Sequence, residues 1–399
     1  MSPSQDTPPL HLAVSLDGAG AHPAAWREPG ARPRGSTTAR YWAELVAEAE
    51  AGLLDFVTFE DSLGPRSADP TGPARRADLV RGRLDSVLTA ARVAPVTRHV
   101  GLVPTVTVTH AEPFHVAQAL ATLDHVSGGR AGLNLQVSER PDETPHFGRR
   151  DPLEPLARLL EEAADHAEVV RRLWDRREDE TALRGVPGGP TATPGLTGGP
   201  TATPGLTGGP TATPGLTGRP TALRIPQGRP PVGVLAADPA RYGLLAGAAD
   251  IGYVTPRDAE QVRAAVRGIL PAREEAGRAG DPLHLFGELT VFLDGTAEGA
   301  ERRLRRLDSV YGTAYASAAP IFAGTPTQLA DRLLEWRRAG LSGFRLRPGV
   351  LAHDLPGITR ALVPELQWRG AFRRGYEAST LRGLLGLRRP AGRYARSTA

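Results

Sequence analysis

Polar side chains that can bind a ligand or transfer a proton follow most of the apolar, extended stretches of this sequence. They are carboxylates, hydroxyls, a histidine and an arginine: Asp17, Asp61, Ser62, Thr107, Thr109, His110, Ser138, Asp238, Thr255, Asp294 and Arg347. Because the carboxyl ends of parallel strands meet at one edge, we expect these side chains to share one site. His110 is the candidate general acid or base, since an imidazole titrates near neutral pH; a loop histidine held by a backbone hydrogen bond is the alternative.

The spacing of these groups does not fit the common metal and phosphate motifs. The sequence has no HxH or HExxH pattern and no cysteine, so no metal site is predicted. A GxSxG elbow and a Walker-type glycine loop are also missing. Two of the acids could form an acid–base pair, but the sequence does not fix their separation.

The stretch 100–138 indicates which elements position these groups. Residues 103–109 are β-branched almost throughout, which favours a strand. Pro113 can open a helix, and Gly128 with Gly129 can end it in the left-handed conformation. The chain is then extended again, so the stretch reads as a β-α-β unit.

The same alternation continues along the chain. We predict strands at residues 12–16, 55–59, 103–109, 131–137, 232–235, 251–254, 283–293 and 343–346. Helical patterns separate them, and Thr325 with Gln328 is spaced as a capping box. Eight strands interleaved with helices predict an α/β fold, a single (β/α)8 TIM barrel over residues 10–388.

One segment departs from this pattern. Residues 191–220 are a tandem decapeptide, TATPGLTGGP twice and TATPGLTGRP once, with partial copies on either side. Each copy has a Pro-Gly turn pair and one leucine, too little apolar material to stack into a solenoid core. We therefore predict a disordered, low-complexity surface insertion at residues 184–224.

Composition narrows the classes of function. All 48 basic residues are arginine and the net charge is only +4, which indicates GC-rich coding rather than nucleic-acid binding. No apolar run is long enough to cross a membrane, and the first residues have no secretory pattern. The absence of cysteine fits a cytoplasmic protein.

Four segments are characteristic of a known family. The most specific is ATLDHVSGGRAGLN; the others are LAVSLDGAGAHPAAWREP, GLLDFVTFEDSL and FAGTPTQLADRLLEWRRAGLSGF, the last followed by LVPELQWRGAFRRGYEASTLRGLLGL. Together they reach from about Leu12 to Leu387. They resemble the luciferase-like flavin-dependent monooxygenases, in the branch of nitrilotriacetate, dibenzothiophene-sulfone and pristinamycin-type oxygenases.

The resemblance implies a barrel that holds reduced flavin mononucleotide (FMN) at its carboxyl-terminal mouth. A separate flavin reductase supplies the reduced flavin, and one atom of molecular oxygen passes to a small organic substrate. The positions that match the family's cofactor contacts are Asp61 at the ring edge, Thr105 and Thr107 beneath the ring, and Asn134 and Ser138 nearby.

Several matching positions depart from the family pattern. His146 stands where an asparagine precedes Phe-Gly in the family, and is a weaker cofactor-binding candidate. Leu160 replaces a tyrosine that commonly helps to hold the phosphate. In the phosphate loop Asp238 would repel phosphate, whereas Arg241 could attract it.

Other interpretations stay open at this stage. The same barrel can use coenzyme F420, or serve as a flavin reductase without oxygen insertion, or be a degenerate, cofactor-free binding subunit. Asp61 could simply cap a turn, and Arg347 could be solvated rather than balance an anionic flavin or substrate. His115 and His125 lie on the predicted helix and are interpreted as surface or packing residues. The resemblance also suggests a homodimer that pairs through outer helices.

Overall fold

A computed structural model of the protein describes residues 9–61, 82–141, 143–148, 154–183 and 225–390. The predicted insertion, residues 184–224, and Ser62 lie outside the described residues. The strands within them are β1 (His11–Leu16), β2 (Phe56–Phe59), β3 (Gly101–Thr107), β4 (Leu133–Gln136), β5 (Val232–Leu235), β6 (Ile251–Val254), β7 (His284–Leu293), β8 (Ile321–Gly324) and β9 (Gly343–Pro348).

Helices follow most of the strands. They are α1 (Ala39–Ala51), α2 (Ser86–Val93), α3 (Pro113–Val126), α4 (Leu156–Leu183), α5 (Tyr242–Ala248), α6 (Ala259–Glu275), α7 (Ala297–Tyr311), α8 (Pro326–Arg338), α9 (Leu351–Gly357), α10 (Val363–Trp368) and α11 (Leu381–Leu384), with a π-helical turn (Ile358–Leu362) between α9 and α10. No described helix combines the length and the apolarity needed to cross a bilayer.

Local sequence signals account for where several helices begin and end. Thr325 and Gln328 form both hydrogen bonds of the predicted capping box at the start of α8. Asp85 caps α2 by accepting from the backbone N–H of Leu88 at 2.7 Å. Gly128 and Gly129 end α3 with φ angles of 68° and 92°, a conformation that glycine adopts without a side-chain clash.

Eight strands close into a parallel barrel in the order β1, β2, β3, β4, β5, β6, β7, β9 and back to β1. These are the eight strands that the sequence predicts, so the predicted (β/α)8 barrel is confirmed. The sequence-based prediction missed β8. Strand β7 is ten residues long. Its first four residues pair with β6, and its last four residues, which extend past the end of β6, pair with β8 instead.

Side chains along the strands alternate between two apolar clusters. Leu12, Val14 and Leu16 of β1 pack outward against the helices. Ala13 points into the barrel, where it joins Phe56, Phe286 and residues of α11 in a second cluster. Because α11 packs into the amino-terminal end of the barrel, that end, called the floor below, is closed. A ligand-binding site is therefore expected at the opposite, carboxyl-terminal end, called the mouth below.

The floor is also held by polar contacts. The buried carboxylate of Asp55 lies 2.7 Å from Nδ1 of His11 and accepts from the backbone N–H of Leu12 at 2.7 Å. Arg373, from the segment between α10 and α11, pairs with the same carboxylate. These contacts join the carboxyl-terminal segment to the first two strands.

Candidate active site

The carboxyl-terminal half of the barrel interior is polar. Its side chains belong to the strands, or directly follow them, at positions that alternate with outward apolar residues. They carry hydroxyls, an amide and charges: Ser15, Thr58, Glu60, Thr105, Thr107, Asn134, Glu288, Thr290, Arg345 and Arg347. Within the described residues no group of three or more His, Cys, Asp or Glu side chains is arranged to hold a metal ion.

Thr105, Thr107 and Asn134 form a neutral polar surface on β3 and β4, called the amide wall here. Thr105 and Asn134 face each other in register, and the Asn134 amide donates to Oγ1 of Thr105 at 2.9 Å. Thr107 is buried one inward position nearer the mouth. Oδ1 of Asn134 is buried and has no hydrogen-bond partner among the described residues. The amide wall therefore presents a buried acceptor that a ligand N–H can satisfy.

His110 lies in the turn after β3 and is partly exposed. Its ring stacks on Phe147, with ring centroids 4.5 Å apart and planes 4° apart. His146, beside Phe147, is exposed. The stacking joins the β3 turn to the segment after β4 and places both histidines at the rim of the mouth.

Ser138 and Asp61 both make structural contacts. The Ser138 hydroxyl donates to buried Glu143 at 2.5 Å, which shapes the loop after β4. Oδ2 of Asp61 accepts from the backbone N–H of Ser86 at 3.1 Å, in the first turn of α2. Asp61 therefore helps to position the start of α2 beside the end of β2.

Arg241 lies between two acids after β5. Its guanidinium pairs with Asp238 three residues before it and with Glu139 after β4. Leu160, at the position of the family's tyrosine, is buried in the apolar core. The positive charge that the sequence suggested for phosphate is therefore already shared by two carboxylates.

Across the barrel, Glu288, Arg345 and Arg347 form a second polar surface on β7 and β9, called the charged wall here. Both oxygens of the fully buried Glu288 accept hydrogen bonds, one from Arg345 at 2.6 Å and one from Arg347 at 2.8 Å. The Arg345 guanidinium lies 3.9 Å from the ring centroid of Tyr253. Burial alone would raise the pKa of Glu288, but Arg345 and Arg347 outweigh it and hold that pKa below its usual value.

A cleft opens beside these surfaces, at the ends of β1 and β2. Its lining includes Trp26, Trp42, Asp17 and Glu60. Asp17 accepts from Arg83 at 3.1 Å, and Glu60 accepts from the hydroxyls of two inward-facing residues, Ser15 at 2.9 Å and Thr58 at 3.0 Å. Indole rings combined with a few fixed polar groups are typical of sites for small organic molecules.

Known proteins resemble this chain over nearly its whole length. Residues 21–321 match the family model of luciferase-like monooxygenases. The chain belongs to this family. Among its relatives, N-acetyl-S-(2-succino)cysteine monooxygenase of Bacillus subtilis (strain 168) is 26% identical, covering 97% of this chain and 98% of the relative. Nitrilotriacetate monooxygenase component A of Aminobacter aminovorans is 29% identical with the same coverage.

Solved structures support the same fold. The structure of a long-chain alkane monooxygenase superposes with a TM-score of 0.73 at 22% identity, covering 95% of this chain and 96% of that one. EDTA monooxygenase from Chelativorans sp. BNC1 gives 0.72 at 20% identity, with 96% and 99% covered. The predicted luciferase-like family is confirmed, and so is the predicted class of enzyme, a flavin-dependent oxidoreductase that incorporates oxygen.

Sequence reasoning missed part of this monooxygenase's polar interior. Arg347 is among the candidates predicted from the sequence, but Glu288 and Arg345 are not. Of the two acids after β2, Asp61 is among those candidates and Glu60 is not. The available signals were a lone acid in the apolar run LFGELTVFL and the alternating arginines of GFRLRP. A charge inside an otherwise apolar strand indicates a buried, paired group.

Proposed function

We propose that the protein is the oxygenase component of a two-component monooxygenase that uses reduced FMN from a separate flavin reductase, molecular oxygen and a small organic substrate. The names of two relatives support a partner. One is nitrilotriacetate monooxygenase component A, and the other is one of the subunits of pristinamycin IIA synthase from Streptomyces pristinaespiralis, which is 28% identical over 96% of this chain. The small-molecule substrate is assigned to the cleft beside Trp26 and Trp42.

The observation that carries this proposal is the unsatisfied acceptor on the amide wall. The pyrimidine edge of a flavin alternates carbonyl oxygens with an N–H, and Oδ1 of Asn134 is a buried acceptor for such a group. Thr105 fixes the orientation of that amide through its 2.9 Å hydrogen bond, and Thr107 adds a further hydroxyl. The residues present therefore fit the ring of the cofactor.

Reduced flavin, when bound, supplies the electrons and the oxygen activation that the side chains themselves lack. The chain contributes a closed, apolar floor, which keeps water from entering the barrel at its amino-terminal end. We assign His110 the transfer of a proton at the rim, because its imidazole is partly exposed and oriented by Phe147. Asp61, Ser138 and His146 are assigned to shaping and bordering the cofactor site.

The fit is weaker on the phosphate side. Arg241 is bound by Asp238 and Glu139, and Leu160 offers no hydrogen-bonding group. We therefore assign most of the cofactor affinity to contacts with the ring, with Arg241 a minor contributor to phosphate binding.

Two further features belong to this proposal. Leu88 on α2 is 71% exposed and Phe114 on α3 is 47% exposed. Apolar side chains on adjacent outer helices support a homodimer that covers them. A cytoplasmic location is proposed from the absence of cysteine.

The deciding experiment is an anaerobic fluorescence titration of the full-length protein with reduced FMN, oxidised FMN and F420. We expect reduced FMN to bind most tightly, and Asp61→Ala and Thr107→Val each to weaken it. Thr122→Val, at an exposed position on α3, is the matched control and should bind as the parent does. Tighter binding of F420 would replace FMN with the alternative cofactor. No binding of any of the three would favour the cofactor-free barrel.

A further inference from the structure

The charged wall has more hydrogen-bond donors than acceptors. Arg345 and Arg347 each donate once to Glu288. Nε and Nη1 of Arg345 and Nε of Arg347 are buried and have no hydrogen-bond partner within the described part of the chain. Buried guanidinium donors are ordinarily satisfied, so three unsatisfied donor atoms on adjacent side chains indicate a further acceptor that the described residues do not supply.

The two acids near the charged wall contact its arginines unequally. Two guanidiniums are hydrogen-bonded to the single carboxylate of Glu288. The other carboxylate facing them is Glu60, whose Oε1 forms a longer ion pair with Nη1 of Arg345 at 3.7 Å and accepts hydrogen bonds from two hydroxyls. Asp17, farther along the cleft, is paired with Arg83. Two guanidiniums and two carboxylates balance in charge, but the triad Arg345–Glu288–Arg347 has more hydrogen-bond donors than its single carboxylate accepts.

The triad is reachable from the mouth at one end. The Arg345 side chain is only 2% exposed and rests on Tyr253, whereas the Arg347 side chain is 23% exposed. A ligand thus meets Arg347 first, with Arg345 behind it. Two neighbouring guanidiniums are well suited to a carboxylate, whose two oxygens accept paired, charge-assisted hydrogen bonds.

We propose that the charged wall is a substrate subsite that selects small organic molecules carrying a carboxylate, with Arg347 as the specificity-determining residue. The inference rests on the proposed function, because it names the class of substrate for the oxygenase. In the ring of eight strands, β7 and β9 stand across the barrel from β3 and β4. The carboxylate is therefore held on the wall opposite the one assigned to the flavin ring.

The probe is succinate, compared with its uncharged analogue succinamide at equal ionic strength. Binding to the full-length protein without flavin is followed by calorimetric titration and by the rise in melting temperature. We expect succinate to bind and succinamide not to. Arg347→Gln should lower the affinity for succinate about tenfold or more. Arg347→Lys keeps the charge but loses the paired donors, so its affinity should lie between those of the parent and Arg347→Gln. Arg305→Gln, in an exposed pair with Glu301, is the control.

A flavin titration of the same variants shows whether the group that accepts from Arg347 belongs to the substrate or to the flavin. Loss of succinate binding in Arg347→Gln with flavin affinity retained supports the substrate subsite. Equal binding of succinate and succinamide, or succinate binding that Arg347→Gln leaves unchanged, would overturn the proposal. Loss of flavin binding alone would assign Arg347 to the cofactor. If succinate binds as expected and no flavin does, the subsite stands and the proposed oxygenase function fails.

Discussion

The amide wall and the charged wall use the same architecture for different chemistry. In each, side chains from two adjacent parallel strands meet in register, Thr105 with Asn134 on one side and Glu288 with Arg345 on the other. Counting only the described part of the chain, the first pair is neutral and leaves one acceptor unsatisfied, whereas the second is ionised and leaves donors unsatisfied. Under the two proposals above, one barrel would offer complementary hydrogen-bonding surfaces to two ligands. The two walls should also respond differently to mutation, because only the second contains buried charges.

The largest effect is expected from Glu288→Ala. Removing this carboxylate leaves two inward guanidiniums without their hydrogen-bonded partner, which should lower the free energy of unfolding by about 3–5 kcal/mol. Urea unfolding followed by circular dichroism measures the change. Glu301→Ala, which breaks the exposed pair with Arg305, should cost less than about 1 kcal/mol. Similar losses for the two variants would show that the charged wall contributes little to stability.

The charged wall should also depend on pH in a way that the amide wall does not. The pKa of Glu288 is held below its usual value of 4.5 by Arg345 and Arg347, against the effect of burial. Its stabilising contribution is therefore present above pH 4.5 and lost as the pH falls through its lower folded-state pKa. The stability difference between the parent and Glu288→Ala should shrink below pH 4.5. For Asn134→Ala the difference should stay constant; a parallel fall would argue against this assignment.

A smaller effect on stability, but a clear one on binding, is expected from Asn134→Ala. This change removes the unsatisfied acceptor and one hydrogen bond to Thr105, so the free energy of unfolding should fall by only about 1 kcal/mol. Affinity for reduced FMN should drop about tenfold, as measured by anaerobic fluorescence titration. Unchanged affinity would mean that the flavin ring does not use the amide wall.

The smallest effect is expected from Arg241→Gln. Because Asp238 and Glu139 already share the Arg241 guanidinium, FMN affinity should change less than about twofold. Riboflavin, which has no phosphate, should respond in the same way to this substitution. A tenfold loss for FMN alone would show that Arg241 leaves the two carboxylates for the phosphate.

The fold was largely predictable because its signals are local. Pro113, the glycines after α3 and the capping box at Thr325 each depend on residues within one turn, and the structure places them as predicted. The strand β8 was missed because it lies outside the ring of eight strands, and its place depends on the distant strand β7.

The site was less predictable, because its partners are far apart in sequence. Thr105 and Asn134 were found only through resemblance to a family, although they meet across adjacent strands. Arg345 and Glu288 are 57 residues apart, and only the closure of the barrel brings them together. Arg241 was predicted from its position in the loop after β5 as a cation that could attract phosphate, whereas its pairing with Glu139 depends on a contact between two loops.

The attachment points of the decapeptide insertion lie away from the mouth. Helix α4 runs back from the mouth, and Arg171 in its second half donates to the carbonyl oxygens of Gly247 and Ala248 at the end of α5. Asp175 pairs there with Arg229, just before β5, where the chain returns. Copies of the decapeptide can therefore be gained or lost by replication slippage without shifting a strand end at the mouth. Selection on catalysis is thus expected to leave the copy number free to drift between closely related genes.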